Sequence, residues 1–599
     1  MPYSLDGNLD FSGGVNSGFL SHQIGKSQIF KGFGVSVKDG ALSPRPSFIH
    51  EEVKVVTKDK IYDFNHILKH GKFQAAIPYE IPGGKYLLTI VSGLIYAIDL
   101  NKMTARILDV VDGDRLRQTH DRVHWSYAPG SDSDLEIFDW PNLPLIVEGL
   151  NVRRSNLFRL DTAGVPLPET PALRLGVFAQ TRLCGANGFD EWAASDSNAN
   201  INSPAPITFQ ESLVPGAAYI NQTFALPAQK VASKITAMGY LSSANALSRI
   251  RSTKYGPMFV ASRDTVAVYA TNLPRAQWAG EGFGTVELDG LGMPSQRGHI
   301  NLNADTLFID QHGRIQSFAK AVSEEGSSWT NFSLSKEISE YTEVPDTTLH
   351  QFAVAAAVKD KVFFSVMPYR TRARDLNNQL VFDYASRGIA VLELDNASTL
   401  GQGAAPTWSG IWANVNPMEI SVVGDETYVW SKDCDGVNRL YRVDDSRIYD
   451  EFRGKKRTKV SRFYTRAFDH ESFFQEKQEH SLSMIMADIE GDVSIKVDRR
   501  KEGDSSFHDW GSRVFKGCSS ATGAVEFGEP EDKACGLGYH RNQIRTTIEG
   551  GAWRIEGIRV KSEILEESDS IDCNKKPSER PVVREVHDLE IDSVCQMKA

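Results

Sequence analysis

The residue pattern closest to metal-binding chemistry is a pair of histidines, His120 and His124, separated by three residues. Imidazoles four positions apart share one face only when the segment is helical. The local pattern here predicts a strand, in which such positions are about 13 Å apart. We therefore interpret both histidines as solvated or core side chains.

Two further segments are similar to ion-binding loops. Asp433–Asn438 has oxygen-bearing side chains at alternate positions, as calcium loops have, but Asp, Gly and Asn also favour tight turns, and we predict a polar β-turn. Gly280–Gly284 is rich in glycine, yet no helical pattern follows it. Without a helix N-terminus, backbone amides are not aimed at a phosphate, so we predict a loop.

Signals for an enzyme are sparse. The chain contains no H-E-x-x-H, no G-x-x-x-x-G-K-[ST] and no G-x-S-x-G. Ser323–Trp329 is similar to the Asp-box turn of sialidase propellers, but it is one residue short, has Glu at the acidic position and occurs once. Paired carboxylates for glycoside hydrolysis carry no information in a chain with 77 acidic residues. We predict no catalytic residues, no cofactor and no metal site.

Composition narrows the class of protein. The 599 residues carry a net charge of −11 and a pI near 5.8, which argues against gripping nucleic acid through a broad basic surface. The mean hydropathy is −0.32, and no apolar run approaches the roughly 20 residues that cross a bilayer. The first residues do not have the pattern of a secretory signal. Six cysteines without a C-x-x-C pair predict reduced thiols.

The elements that must position any site are β-hairpins. Branched and aromatic residues flank Gly, Asp or Asn turns, because the pleated backbone suits the former and positive φ suits the latter. Predicted hairpins span Tyr86–Ile98, Met258–Tyr269, Thr306–Phe318, Phe352–Val366 and Ile420–Trp430. The last four turns recur at intervals of about 48 to 65 residues, close to the period of propeller blades. Stacked β-sandwiches with chance spacing are the alternative.

These observations predict an all-β fold, a β-propeller of six or seven blades with an additional antiparallel β-sandwich (platform) domain. The propeller is expected over residues 61–450 and the sandwich over 451–565, where apolar and polar residues alternate. Residues 1–60 are expected to form an N-terminal segment that docks on the platform or on a neighbouring subunit. Residues 566–599 are highly charged and predict a surface arm.

Three stretches together resemble the tail nozzle (tail tubular B-type) proteins of short-tailed bacteriophages. The first has two parts, a G-G-V-N start within Asp10–Asn16 and a later Arg-Pro element within Gly34–Pro46. Ser47 follows Arg45-Pro46 where the strongest form of the family motif has Gly. The remaining stretches are Phe178–Gly188 with Trp192–Ser195, and Gly298–Phe318 with Tyr464–Phe468 after the propeller.

The resemblance implies a structural virion protein, made in the bacterial cytoplasm, that forms a homohexameric nozzle ring. Its implied partners are a head–tail connector or adaptor ring above it, tail fibres or a tail needle, and genomic DNA that passes through the lumen without sequence-specific contacts. Acidic walls suit such a lumen because they repel phosphates. The alternatives are a glycan-binding or glycan-hydrolysing propeller, and a baseplate or receptor-facing virion protein.

A basic cluster at Arg453–Lys459 departs from the acidic character of the chain. One interpretation is a solvated junction between the two domains. The other is an interface, formed by Lys455, Lys456, Arg457 and Lys459, with an acidic neighbouring ring.

Overall fold

A computed structural model describes residues 3–56, 63–108, 116–118, 120–127, 135–180, 182–197, 207–209, 233–241, 256–271, 284–302, 305–324, 333–394, 406–433, 435–471, 475, 477–530 and 540–564. The predicted arm at 566–599, residues 280–283 of the glycine-rich segment and most of the segment similar to an Asp-box lie outside these residues. None of the described helices has the length and apolar character that crossing a bilayer requires.

The chain begins with seven short strands that serve several different sheets. They are β1 (Tyr3–Asn8), β2 (Gly14–Val15), β3 (Gln28–Phe33), β4 (Val35–Lys38), β5 (Ala41–Pro44), β6 (Ser47–Glu51) and β7 (Lys54–Val55). Helix α1 (Phe64–His70) follows, and the carboxylate of Asp63 caps it by accepting a hydrogen bond from the His66 amide.

Six small sheets within the described residues form the blades of a β-propeller. The strands of the first three blades are β8 (Phe73–Ile81), β9 (Gly84–Val91), β10 (Leu94–Asp99), β11 (Thr104–Ile107), β12 (His124–Tyr127), β13 (Leu135–Phe138), β14 (Leu145–Glu148), β15 (Asn151–Arg154), β16 (Gly176–Ala179), β17 (Arg182–Ala186) and β18 (Trp192–Ala194). Blade 1 combines β8–β11 with β7, blade 2 is β12–β15 and blade 3 is β16–β18.

The next two blades are followed by a segment with short helices. The strands are β19 (Ala237–Tyr240), β20 (Met258–Ala261), β21 (Thr265–Tyr269), β22 (Gly284–Asp289), β23 (His299–Asn301), β24 (Thr306–Ile309) and β25 (Ile315–Ser317). Blade 4 is β19–β22 and blade 5 is β23–β25. The helices are α2 (Phe318–Glu324), a 3₁₀ turn (Lys336–Ile338), α3 (Ser339–Thr342) and a second 3₁₀ turn (Thr347–Phe352).

The remaining strands complete the ring and form one large sheet. They are β26 (Ala355–Val358), β27 (Lys361–Arg374), β28 (Leu380–Glu393), β29 (Thr407–Trp412), β30 (Pro417–Val423), β31 (Glu426–Lys432), β32 (Asn438–Asp444), β33 (Asp450–Phe452), β34 (Lys455–Arg457), β35 (Val460–Phe468), β36 (Lys477–Lys501), β37 (His508–Phe527) and β38 (Asn542–Ile564). Blade 6 has the strand order β30-β31-β32-β6-β33-β34, so an N-terminal strand lies inside the last blade.

Inner strands of successive sheets contact one another around the ring. β12 contacts β16, β16 contacts β19, β23 contacts β26, β26 contacts β30, and β30 contacts β8 of blade 1. Strands β26–β29 therefore occupy the position between blades 5 and 6, although they belong to the large sheet. All five predicted hairpins are confirmed by antiparallel pairing of their strands.

The large sheet has thirteen strands within the described residues and curls into a half-barrel. Its main order is β26-β27-β28-β29-β3-β35-β38-β36-β37, with β1 and β5 paired to β38. The alternating segments predicted beyond residue 450 are strands of this sheet. Register shifts interrupt the β36–β37 ladder at four places, and such bulges bend and twist a sheet. The buried cluster beneath it includes Trp408, Phe463, Trp553 and Ile555.

Within the large sheet, β3 pairs with β29 on one side and with β35 on the other, so it connects the strands between blades 5 and 6 to the later strands of the chain. A salt bridge joins the large sheet to blade 6: Arg45, only 1% exposed, donates to both carboxylate oxygens of Asp450 at 2.9 and 2.6 Å. Its guanidinium also lies 4.5 Å from the ring centroid of Phe48. Arg45 and Asp450, which are 405 positions apart in the chain, are thus bonded to each other.

Candidate interaction surfaces

The propeller axis is filled by three side chains that come from non-adjacent blades. Trp125 belongs to β12 of blade 2, Arg297 lies two residues before the start of β23 of blade 5, and Glu419 belongs to β30 of blade 6. The Arg297 guanidinium lies 3.8 Å from the Trp125 ring centroid, and its Nη2 donates to Glu419 Oε1 at 2.7 Å. Inner strands so far apart around the ring can meet only across the axis.

The electrostatics of the axis follow from this closure. Burial raises the pKa of Glu419, which is 1% exposed, and the charge of Arg297 partly opposes that rise. Burial also lowers the pKa of His124 to about 3 and that of His299 to about 4, with Arg297 contributing to both shifts. Both imidazoles are therefore neutral near pH 7, and the carboxylate of Glu419 is already engaged by a guanidinium.

The two histidines of the His120/His124 pair make different contacts. His124 opens β12, whereas the Nε2 of His120 lies 3.5 Å from Oδ1 of the buried Asp139. No cluster of three or more metal-ligating side chains occurs within the described residues.

The Asp433–Asn438 segment is a polar turn between β31 and β32. Oδ1 of Asp433 accepts hydrogen bonds from the amides of Asp435 and Val437, and Oδ2 accepts one from Nε of Arg439. These bonds use the carboxylate to shape the turn, as Asx turns do.

The basic cluster predicted from the sequence forms a hairpin at the outer edge of blade 6. Lys455, Lys456 and Arg457 make up β34, which pairs with β33, and all three are exposed. Aromatic rings lie beneath them: Lys456 Nζ is 4.3 Å from the Tyr449 ring centroid, and the Arg457 guanidinium is 4.1 Å from that of Phe452. The β33–β34 hairpin therefore presents three cations on a rigid aromatic base.

Lys459 differs from the other three predicted interface residues because it points inward. It is 4% exposed, and its ammonium donates to the carbonyl oxygens of Arg45 at 3.1 Å and Arg447 at 3.2 Å. Burial, together with the charge of Arg45, lowers its pKa to about 8. Lys459 thus holds the junction between the two sheets.

A second basic surface was missed by the sequence analysis. It lies on the outer face of the β27–β28 hairpin, where Arg370, Arg372 and Arg374 are each paired across the ladder with Tyr384, Phe382 and Leu380, respectively. Directly opposed residues share one face of a sheet, so the six side chains form a double row, which we call the arginine ladder. Arg370, Arg372, Leu380 and Phe382 are exposed.

The opposite face of the same hairpin packs onto the protein. Ala373, Asp383 and Ala385 are buried there, and Oδ2 of Asp383 lies 2.8 Å from Nζ of Lys432. Alternation of arginine with small or polar residues over Tyr369–Arg374 is a period-two signal that could have indicated this strand and its exposed face.

Comparisons with known proteins assign neither a family nor a function to the chain. No model of a known protein family matches the chain, and no protein of curated function matches it in sequence. Similar solved structures include PorZ, a surface component of the type-IX secretion system of Porphyromonas gingivalis (13% identity, TM-score 0.26), over 61% of this chain and 42% of that one. The chain thus spans less than half the length of PorZ.

Two further structures are similar over a comparable share of the chain. One is U3-55K, at 11% identity and a TM-score of 0.33, over 62% of this chain and 95% of that one. The other is a putative 6-phosphogluconolactonase from Bacteroides fragilis, at 8% identity and a TM-score of 0.28, over 65% and 98%. At this level of similarity, nothing about substrate or partner follows from any of the three; what belongs to this chain is the architecture of a β-propeller joined to a curled half-barrel sheet.

Proposed function

We propose that the chain is the structural unit of a tail nozzle ring of a short-tailed bacteriophage, a conduit for genomic DNA. The observation that carries the proposal is where the motif residues of the resemblance lie. Gly14 and Gly34 lie where strands of the large sheet approach one another closely, and Arg45, which follows β5 of that sheet, binds Asp450 of blade 6. The resemblance therefore rests on residues that shape the large sheet and join it to the last blade.

The geometry of the two glycines explains why these positions matter. Gly14 has φ +65°, and a Cβ there would lie 2.5 Å from the carbonyl oxygen of Trp408. Gly34 has φ +63°, and a Cβ there would lie 2.7 Å from the carbonyl oxygen of Val460. A side chain at either position would strain the backbone and force two strands apart. Ser47, the departure from the motif, begins β6, and its hydroxyl donates to the Arg447 carbonyl.

The closed axis supports a passage outside the single chain. Because Trp125, Arg297 and Glu419 contact one another across the propeller axis, we assign the DNA channel to the space between copies. A ring of six copies, as the resemblance implies, supplies such a space. The same packing disfavours the glycan-processing alternative, because the axial carboxylate of Glu419 already binds a guanidinium.

The β33–β34 hairpin is the surface that we assign to the neighbouring adaptor ring. Its three exposed cations are Lys455, Lys456 and Arg457, which lie on the outer edge of blade 6. In the chain they come just before β35, a strand of the large sheet. Charge complementarity with an acidic ring would steer docking and set its register.

The proposal is tested by assembly. The purified chain is mixed with the adaptor ring protein from the same genome and imaged by electron microscopy, with mass photometry for stoichiometry. We expect six copies in a ring on the adaptor. A chain that stays monomeric beside intact adaptor rings, or that cleaves or binds bacterial surface glycans as a monomer, would contradict the proposal.

A charge-reversal variant sharpens the assembly test. K455E/K456E/R457E is expected to lose binding to the adaptor, because three attractive contacts become repulsive. R370E/R372E, which reverses two exposed arginines elsewhere, is the control, matched in charge to the double variant K455E/K456E, and should still assemble. Loss of assembly in both variants would remove the β33–β34 hairpin as the specific contact.

A further inference from the structure

The arginine ladder carries guanidinium groups that the protein itself does not use. Within the described residues, no ion pair or hydrogen bond engages the side chain of Arg370 or Arg372. Arg374 donates one hydrogen bond, to the carbonyl of Asn378 at 3.0 Å. The nearby carboxylate of Asp346 already accepts hydrogen bonds from the amide and hydroxyl of Thr348. Exposed, unpaired cations in a fixed array are free to bind an external anion.

The hairpin holds these arginines at a regular spacing. Successive side chains on one face of a strand are about 6.8 Å apart, twice the rise per residue. One strand of duplex DNA carries a charge every 3.4 Å along the axis, and because the strand winds around that axis, neighbouring phosphates are farther apart in space than this rise, at a spacing of the same order as the step between the arginines. A planar guanidinium binds phosphate oxygens through two parallel hydrogen bonds. The array is thus matched to a phosphate backbone.

Rigidity of the array comes from beneath. Tyr384, opposite Arg370, stacks on Phe352 with ring centroids 3.5 Å apart and an interplanar angle of 11°. The Arg122 guanidinium lies 5.5 Å from the Phe352 ring and donates to the Tyr384 carbonyl at 3.0 Å. Since the hairpin backbone and the supporting rings are fixed by packing, binding an anion costs only the rotamer freedom of the arginine side chains themselves.

The row opposite the arginines is apolar and aromatic. Phe382 is 64% exposed and Leu380 is 62% exposed. Basic surfaces that carry aromatic side chains are those on which proteins hold single-stranded nucleic acid without reading its sequence. An acidic protein segment is the competing partner, and the experiment below separates it from DNA.

We propose that the arginine ladder on the β27–β28 hairpin binds the phosphate backbone of DNA without sequence preference. The inference deepens the proposed nozzle function, since it names the face that contacts the passing genome, and it rests on that function for the identity of the DNA. The contact is confined to two or three phosphates for each copy, so it guides the DNA without arresting it.

The test measures binding of the full-length protein to fluorescent 20-mer DNA, single-stranded and duplex, by anisotropy over a series of salt concentrations. For the wild type we expect equal affinity for unrelated sequences and a steep fall with salt. R370A/R372A is expected to lower the slope of log K against log salt by about two for duplex and somewhat less for single strands, since each phosphate contact contributes about 0.9 or 0.7.

The matched control is K455A/K456A, which removes the same charge from the exposed β33–β34 hairpin. It should leave DNA binding unchanged. An equal loss of DNA binding in both variants would mean that only net charge matters and would overturn the proposal. The proposal would also be overturned if polyglutamate of equal length displaced the labelled DNA from the wild type as well as unlabelled DNA does. Absence of any DNA binding would overturn it too.

Ring assembly on the adaptor is measured on the same samples and separates this inference from the proposed function. R370A/R372A should form rings as the wild type does. If the wild type forms rings but binds no DNA, the proposed role of the arginine ladder is contradicted and the nozzle assignment is not. If the wild type binds DNA through the ladder but forms no rings, the nozzle assignment is contradicted and the ladder remains a DNA-binding surface.

Discussion

The arginine at the propeller axis is bound by other side chains of the protein, whereas two arginines of the arginine ladder are exposed to solvent. Arg297 is held between an indole ring and the carboxylate of Glu419, in a position enclosed by three blades. Arg370 and Arg372 stand on an exposed strand with no partner among the described side chains. In the first setting the charge is satisfied by the fold, and in the second the fold only supports it. The difference separates residues that maintain the structure from residues available to a partner.

The largest effect is expected from breaking the axial pair. Glu419→Ala leaves the Arg297 guanidinium without its carboxylate in a partly buried site. Loss of one partner of a buried ion pair costs about 3–5 kcal/mol, and we expect the lower end of this range because the Arg297 side chain is 24% exposed. Denaturant unfolding followed by tryptophan fluorescence should show this loss in the propeller transition, and a loss below about 1 kcal/mol would mean that water already reaches the pair.

A smaller effect is expected at the junction between the sheets. Arg45→Ala removes two hydrogen bonds to Asp450, a residue that retains access to solvent, with side-chain exposure of 16%. Hydrogen bonds to charged groups contribute about 1.5–3 kcal/mol, so we expect a loss near 2–3 kcal/mol. Limited proteolysis should then separate the propeller from the large sheet earlier than in the wild type; simultaneous digestion of both would contradict the idea of a specific joint.

The pH dependence of the free energy of unfolding tests whether His124 and His299 are held neutral in the folded protein. The pKa values of His124 and His299 are lowered to about 3 and about 4, while those of the unfolded chain are near 6.5. Between these values the unfolded chain binds more protons, so stability is complete above pH 6.5 and falls as the pH drops toward 4. We expect a loss of about one to three kcal/mol for each histidine. His299→Gln should flatten this fall, and an unchanged pH profile would contradict the assignment.

The smallest effect on stability is expected at the ladder. R370A/R372A should change the free energy of unfolding by less than about 0.5 kcal/mol, because surface substitutions that leave packing intact cost little. Thermal unfolding alongside the wild type measures this. A loss as large as that of Glu419→Ala would mean that these arginines are structural and would remove the contrast between the two regions.

The hairpins could be predicted from sequence because each depends on neighbouring residues. The turn between Val91 and Leu94, for example, combines Ser92 at φ 49° and Gly93 at φ 80° with two strands whose residues beside the turn are all buried. Their repeat then indicated the propeller. The basic cluster at Lys455–Arg457 was found for the same reason, since exposure follows from a local run of charge.

What could not be predicted depends on residues far apart in the chain. Nothing near Glu419 in the sequence indicates Arg297 or Trp125, since the three meet only when the ring closes. Lys459 reads like its basic neighbours, and only the carbonyls of Arg45 and Arg447 explain its burial. The arginine ladder appears only when Arg370–Arg374 is placed in register with Leu380–Tyr384, because alternate residues on two strands must be combined into one face.

The placement of β6 within blade 6 has a consequence for how the chain is made. Its register pairs Phe48 with Val443 and Glu51 with Leu440, and Arg45 binds Asp450, 405 positions later. β1 pairs with β38, whose last residue is Ile564. Contacts of such sequence separation form slowly, because long loops must close before they are stabilised. Strands β1 and β6 therefore leave the ribosome long before β38 and β32, with which they pair, have been synthesised. Neither the large sheet nor blade 6 can complete its strand pairing until then.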